Sequence, residues 1–231
     1  MTAPAPYDSP EQHLADQIEV VRSLLAAAVR RRQVQAVGDD LAADAAHTAA
    51  ITAAGAADMA AAARAAVTPP ALLPLERVRR VFNLSINEVH VLVLLTALEL
   101  DTRLRELARQ LVGDRDRPHP DVGLLIELFY IGRDRARVPE ELGPDGRLTR
   151  FALVRMDRLA EVPFALRRAR AVDRIVELLH GRDALDRDVA RIAELVPAQT
   201  RADLVIDGAR FDQLANLVAA AFAAGKDGWG H

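Results

Sequence analysis

One strong turn signal, Gly143-Pro144-Asp145-Gly146, constrains the fold of this chain more than any other feature. Before it, apolar residues recur at helical spacing in one segment after another. After it, residues 148–156 and 164–172 have the composition of strands, and residues 157–163 can join them as a ribbon. The sequence therefore predicts several helices followed by one pair of strands.

The front of the chain, residues 8–67, is rich in alanine and predicts two helices. Asp8 or Ser9 followed by Pro10 is a typical helix start. The apolar stripe of the first helix consists of Leu14, Ile18, Val21, Leu25 and Ala28. Gly38-Asp39-Asp40 interrupts this helix, and a second one is expected from Leu41 to the Thr68-Pro69-Pro70 stop. The two predict an antiparallel hairpin, whose small-residue second arm either braces the protein internally or forms a partner surface.

From Leu72 onward the pattern becomes that of a dense globular domain. A short helix places Val78 and Phe82 inward, and the next helix opens with a capping box formed by Ser85 and Glu88. Further apolar helices are expected up to Gly113 and over residues 120–132. After the strand pair, Asp173 is expected to cap a helix that ends at Gly181, and one more helix covers residues 185–197.

Helices followed by a two-stranded ribbon are the layout of a winged helix. We therefore predict a mainly α protein with a small β ribbon, divided into three parts. Residues 1–70 form the helical hairpin, residues 71–197 the winged-helix domain, and residues 198–231 a linker strand and helix. Because a unit of about 120 residues usually folds alone, residues 72–196 are expected to fold without the hairpin.

Composition excludes several classes of function. The chain has no cysteine, which rules out disulfides, thiolate metal sites and thiol catalysis and is typical of a reducing cytoplasm. Its net charge of −3 provides no global attraction to nucleic acid or membrane. The N-terminus lacks the features of a secretion signal, and no stretch is as long and apolar as a membrane span. We expect a cytoplasmic protein.

The candidate catalytic and metal-binding patterns are weak. Asp114, Asp116, His119 and Asp121 lie close together, but the arginines between them and the lack of a calcium-loop register favour a solvated turn. The histidines do not cluster, and His90 falls on an apolar helix where a hydrogen-bonded core role is expected. No catalytic, cofactor-binding or metal-binding residue is assigned, and the chain is predicted not to be an enzyme by itself.

The Gly225-Lys226 pair resembles part of a phosphate-binding loop but does not complete one. Ala220 stands where the loop needs its first glycine, and Asp227 stands where it needs the serine or threonine that holds Mg²⁺. The preceding segment predicts a helix rather than a strand. Gly225 is instead interpreted as the stop of that helix, and the chain alone is expected not to bind ATP.

Residues 75–196 resemble the winged-helix region found ahead of a class of bacterial AAA+ ATPases, some of which are encoded with contractile injection systems. Four segments carry the resemblance in the family's order and spacing: residues 82–101, 120–129, 143–156 and 172–186. Residues 203–222 resemble the linker strand and helix that follow in those ATPases. Trp229-Gly230 matches a pair found just before their catalytic domain, whereas His231 stands where an aromatic residue is usual.

The resemblance implies a non-catalytic recognition or assembly region of an AAA+ ATPase. A protein substrate or partner would be engaged here for ATP-driven remodelling, and a homo-oligomer would form through the full-length ATPase. ATP and Mg²⁺ would bind in a motor domain that these residues do not include, because the phosphate loop, the Walker B acid and the arginine finger are absent from them.

An arginine-rich ribbon is the charge feature with most functional content. Its members are Arg147, Arg150, Arg155, Arg158, Arg167, Arg168 and Arg170, followed by Arg174. Three interpretations stay open: intramolecular pairing with Asp145, Asp157, Glu161 and Asp173, an acidic protein partner, or nucleic acid. The alternative function is accordingly a winged-helix nucleic-acid-binding module. Against it, the candidate groove-entering helix, residues 120–132, has no Arg, Lys, Asn or Gln to read base edges, and it carries the acidic Asp121 and Glu127.

Overall fold

Helices make up most of the described chain, and the two strands within it form a short antiparallel ribbon. The computed structural model describes residues 4–112, 119–157, 161–183, 187–192 and 208–227. It divides into two compact units, residues 1–184 and residues 185–231. The predicted fold class, mainly α with a small β ribbon, is confirmed.

The α-helices of the first unit are α1 (Pro10–Ala36), α2 (Asp40–Ala66), α3 (Pro74–Val81), α4 (Ile86–Leu100), α5 (Thr102–Val112), α6 (Val122–Phe129), α7 (Val138–Glu141), α8 (Arg147–Arg150) and α9 (Asp173–Leu179). Single turns of 3-10 helix cover Pro70–Leu72 and Phe164–Leu166, and a longer 3-10 segment covers Gly132–Arg137. The strands are β1 (Val154–Met156) and β2 (Ala169–Ala171).

Helices α1 and α2 form the predicted antiparallel hairpin. The Ser9 hydroxyl accepts a hydrogen bond from the Gln12 backbone N–H at 3.3 Å and caps the start of α1, with Pro10 in the first turn. Between the helices, Gly38 adopts a φ of +87°, a left-handed conformation that glycine reaches without strain. The Asp39 carboxylate then caps α2 by accepting from the Ala42 N–H at 3.0 Å.

Helix α1 is part of the main core and not only one arm of a hairpin. Four members of its predicted stripe are buried, namely Leu14, Val21, Leu25 and Ala28, and Val20, Leu24 and Ala27 are buried beside them. The helix packs against α2, α4 and α5, with further contacts to α6 and α9. The expectation that residues 72–196 fold without the hairpin stays a prediction, and the burial of these α1 side chains in the shared core argues against it.

Helix α4 lies at the centre of this unit. Every residue from Asn87 to Leu98 is buried, so the helix is covered on all sides and has only a weak polar face. The predicted capping box at its start is present, with Ser85 and Glu88 satisfying each other's backbone N–H groups. His90 is a core histidine as predicted, with its Nε2 atom 2.9 Å from Asp58 Oδ2 on α2.

The ribbon is shorter than the sequence predicted. Residues 148–150, predicted as strand, are helical, and pairing covers only three residues a side, with Arg155 opposite Arg170. Residues next to β2 extend the sheet on its other edge, since the Ala169 N–H donates to the Pro120 carbonyl at 3.0 Å. Helix α9 also departs from prediction, because Val172 and not Asp173 holds the N-cap position.

The second unit contains α10 (Arg187–Ala190) and α11 (Gly208–Asp227) among its described residues. The predicted linker strand, residues 203–207, lies outside them, whereas the linker helix is present as α11. This helix continues through Gly225 to Asp227, so the interpretation of Gly225 as its stop is wrong. Within the described part of the chain, no helix is both long and apolar enough to cross a membrane.

If α1 belongs to the central core, truncating one of its buried side chains should lower the free energy of unfolding as much as truncating a buried side chain of α4. Leu25 and Leu94 are both completely buried. We expect Leu25→Ala and Leu94→Ala each to lower the free energy of unfolding by about 2–5 kcal/mol, measured by urea denaturation, within one cooperative transition. Leu41→Ala on α2, where the side chain is exposed, should change it by less than about 0.5 kcal/mol. Two separate transitions would show that the hairpin folds independently.

Candidate functional site

Two fully buried carboxylates, Glu88 and Glu141, organise the region that carries the ribbon. Glu88 receives a two-point contact from Arg147 on α8, with its Oε1 atom 3.1 Å from Nε and its Oε2 atom 3.0 Å from Nη2. The same Oε2 atom accepts from the Ser85 N–H at 2.8 Å. Because a bidentate guanidinium fixes both distance and orientation, this pair attaches α8 to the start of α4.

Glu141 joins the same network from α7. Its Oε2 atom accepts hydrogen bonds from the Ser85 hydroxyl at 2.8 Å and from the Tyr130 hydroxyl at 2.9 Å. Its Oε1 atom lies 2.7 Å from an Arg137 nitrogen. Burial, followed by the charge of Glu141, raises the pKa of Tyr130 well above its ordinary value, so the phenol stays protonated and donates. We call these six residues, Ser85, Glu88, Tyr130, Arg137, Glu141 and Arg147, the glutamate network.

Sequence reasoning recognised only one part of this network, the capping box. The other parts come from segments far apart in the chain, and Glu141 is 53 positions from Glu88. The sequence did contain one signal of the network, the carboxylate of Glu88 within the apolar stretch that starts α4. A buried charge requires a partner, so a cation from elsewhere in the chain could have been expected there. The turn before α8 also contributes: a Cβ on Gly146 would collide with the Glu141 carbonyl oxygen, so the backbone approach there requires glycine.

The helix beside the ribbon is α8, and it differs from the helix that the sequence suggested for groove entry. That candidate, α6, has Leu124, Leu125 and Leu128 buried in the core. Helix α8 directly precedes β1 but is only four residues long. Its Leu148 is buried and its Arg147 is held by Glu88, which leaves little exposed surface for base contacts.

The predicted ribbon arginines do not form one continuous surface. Arg147 belongs to the glutamate network, and Arg174 donates to the Arg182 carbonyl at 2.8 Å and lies 3.4 Å from Asp183. These two use neither Asp145, Asp157, Glu161 nor Asp173, the partners suggested by the sequence. Arg150 is exposed beside Phe151 on α8. Arg158 lies outside the described residues.

Closer to the strands, Arg167 is half-buried and donates from Nε to the Val162 carbonyl at 3.2 Å. Arg168 is also half-buried, and its backbone forms an antiparallel β-bridge with Asp121. Arg168 also takes part in a further interaction, so it is not without a partner. Arg155 and Arg170 are exposed and directly opposite each other in the strand register. Of the predicted arginines, the structure therefore brings together Arg155, Arg168 and Arg170.

Strand alternation places these side chains on one face. Val154, Ala169 and Ala171 are buried on the inner face, whereas Arg155 and Arg170 point to the other side. An open groove of about 550 Å³ borders the two strands on the side of these arginines. Its lining residues are His119, Arg155, Met156, Asp157, Arg168, Ala169 and Arg170. We call this surface the ribbon groove, and its charge balance suits an anionic group.

The aspartate- and histidine-rich turn, residues 113–121, does not group its described side chains as ligands of a metal ion. Asp121 uses its carboxylate to cap α6, accepting from the Leu124 N–H at 2.8 Å. The Nδ1 atom of His119 is 3.9 Å from a Glu99 oxygen. Asp114 and Asp116 lie outside the described residues. Among those that are described, no three histidine or acidic side chains are grouped as a metal ion would require.

Helices followed by a short antiparallel ribbon are the layout of a winged-helix domain, a class of module that binds DNA or protein. The chain belongs to the family described as winged helix domain, variant, which it matches over residues 1–193. The match includes the hairpin, in agreement with the shared core. No curated protein and no solved structure matches the chain.

The glutamate network predicts unequal roles for two arginines on the same short helix. Arg147→Ala would leave Glu88 buried without its guanidinium and should cost about 3 kcal/mol, near the lower end for a broken buried pair because Arg147 is partly exposed. Arg150→Ala should change stability by less than about 0.5 kcal/mol. Urea denaturation measures both.

A rescue variant separates loss of the ion pair from loss of packing. Adding Glu88→Gln to Arg147→Ala removes the uncompensated charge, so the double variant should be more stable than Arg147→Ala alone. If the double variant is less stable than Arg147→Ala alone, the charge of Glu88 does not need Arg147 to compensate it.

Proposed function

We propose that this chain is a protein-recognition module that serves an AAA+ ATPase, with the ribbon side of the winged helix facing a protein partner. The chain itself performs no catalysis in this proposal. It binds the substrate or partner protein, and a motor domain elsewhere in the same protein supplies ATP-driven remodelling in the cytoplasm.

The observation that carries the protein-binding part is the state of the helix next to the ribbon. A DNA-reading helix needs exposed side chains that can donate to or accept from base edges along the major groove. Helix α8 has one turn, with Leu148 in the core and Arg147 committed to Glu88. The ribbon arginines could contact phosphate, but phosphate contacts alone carry no sequence information.

The ATPase part of the proposal is supported by the resemblance of residues 82–101, 120–129, 143–156 and 172–186 to the region that precedes those motors. Helix α11 lies where the resemblance expects the linker helix. The Gly225-Lys226 pair lies inside that helix and not between a strand and a helix, which is the context a phosphate loop needs.

The gene sequence downstream of codon 231 tests the ATPase part directly. The proposal predicts a glycine-rich stretch, then a strand and a complete phosphate loop with serine or threonine after the lysine. A stop codon at this position, or an unrelated domain, would remove the ATPase from the proposal and leave the protein-binding part to be judged separately.

A selection from random duplex DNA near physiological salt tests the protein-binding part. We expect no enriched consensus site, and any binding should be weak, independent of sequence and steeply reduced by added salt. An enriched site that is lost in Arg167→Ala/Arg168→Ala would support the nucleic-acid alternative instead.

A further inference from the structure

We propose that the ribbon groove binds an acidic, extended segment of a protein partner, and that Arg155 and Arg170 together clamp one of its carboxylates. This inference rests on the proposed function and specifies the chemistry of the partner. It concerns only the outer face of β1 and β2, and it gives no binding role to Arg147 or Arg174.

The two arginines are placed as a pair by the strand register. The Asp157 N–H donates to the Arg168 carbonyl at 2.9 Å, and the Val172 N–H donates to the Leu153 carbonyl at 3.2 Å. Since hydrogen-bonded pairs alternate along an antiparallel ladder, Arg155 and Arg170 form the hydrogen-bonded pair between them. Their side chains therefore emerge next to each other on the same face.

Neither guanidinium has a partner within the described residues. No hydrogen bond or ion pair of the described ranges involves the Arg155 or Arg170 side chain, although both are exposed. Like charges directly opposite each other on a sheet are destabilising. A carboxylate between the two would remove this repulsion and could accept from both planar groups at once.

The surroundings of the pair fit a peptide. Asp157 is exposed on the same groove and would repel a continuous phosphate backbone, but it can accept a backbone N–H or a basic side chain of a peptide. Met156, which also packs partly against the core, borders the groove, and Leu166 is exposed in the turn that connects the strands. Arginine and methionine are enriched at protein interfaces, where apolar side chains surround a few charged contacts.

The same observations disfavour nucleic acid as the occupant. The flanking helix α8 contributes one exposed arginine, Arg150, and its other residues face the core or are half-buried. The overall charge of the chain is −3, which weakens long-range attraction of a polyanion. A short acidic segment needs only local complementarity with the groove.

Fluorescence polarisation with defined probes tests the inference on the full chain. The probes are a labelled peptide of alternating glutamate and serine, its glutamine counterpart, and a labelled DNA duplex of random sequence. The test variant is Arg155→Glu/Arg170→Glu. The matched control is Arg133→Glu/Arg135→Glu, which makes the same charge change at two exposed arginines of the 3-10 segment after α6.

We expect the acidic peptide to bind, the glutamine peptide to bind at least about tenfold more weakly, and the test variant to lose at least about tenfold in affinity while the control does not. Arg155→Gln/Arg170→Gln should show the same loss without introducing repulsion. Because all four arginines are exposed, thermal unfolding should be similar in every variant.

Two results would overturn the inference in distinguishable ways. If the acidic peptide does not bind, or binds equally well to wild type and the test variant, the clamp is wrong while the proposed function stands. If the duplex binds and the test variant loses it, both the clamp and the proposed protein-binding function are wrong, and the ribbon groove is a nucleic-acid surface.

Discussion

A carboxylate that has no contact with water must be paired, and Glu88 meets this requirement through Arg147. The pair joins the first turn of α4, the most buried helix, to α8, from which the chain runs directly into β1. Glu141 adds α7 and the end of α6 through Tyr130. The position of the ribbon relative to the core therefore depends on a polar network and not only on apolar packing, and such a network is satisfied in few arrangements.

The position of the hairpin is fixed by packing of α1 in the same core. Helix α2 is rich in alanine and buries little area, so it could not specify a position by itself. Helix α1 is different, because Leu14, Val21 and Leu25 lie in the central core and Arg22 reaches Asp101 at the end of α4. The family match from residue 1 to residue 193 is consistent with a hairpin that is integral to the domain.

Arginine has two different uses in this domain. Arg147 and Arg174 have partners within the fold, and their removal would affect stability. Arg155 and Arg170 lie opposite each other on an exposed face, where neither side chain has an ion-pair partner among the described residues. In our proposal, only the arginine pair that faces itself across the ribbon is assigned to binding. The sequence alone does not distinguish arginines that are paired within the fold from those that are not.

The sequence by itself determined the local features: the hairpin turn at Gly38, the capping box of Ser85 and Glu88, the turn at residues 143–146 and the order of helices before a ribbon. These depend on neighbours within a few positions, so periodicity and capping chemistry reveal them. Only the tertiary structure decided that α1 packs against α4 and α5 and that Glu88 pairs with Arg147. Those choices depend on which distant side chains exclude water together, and local patterns carry no information about such pairings.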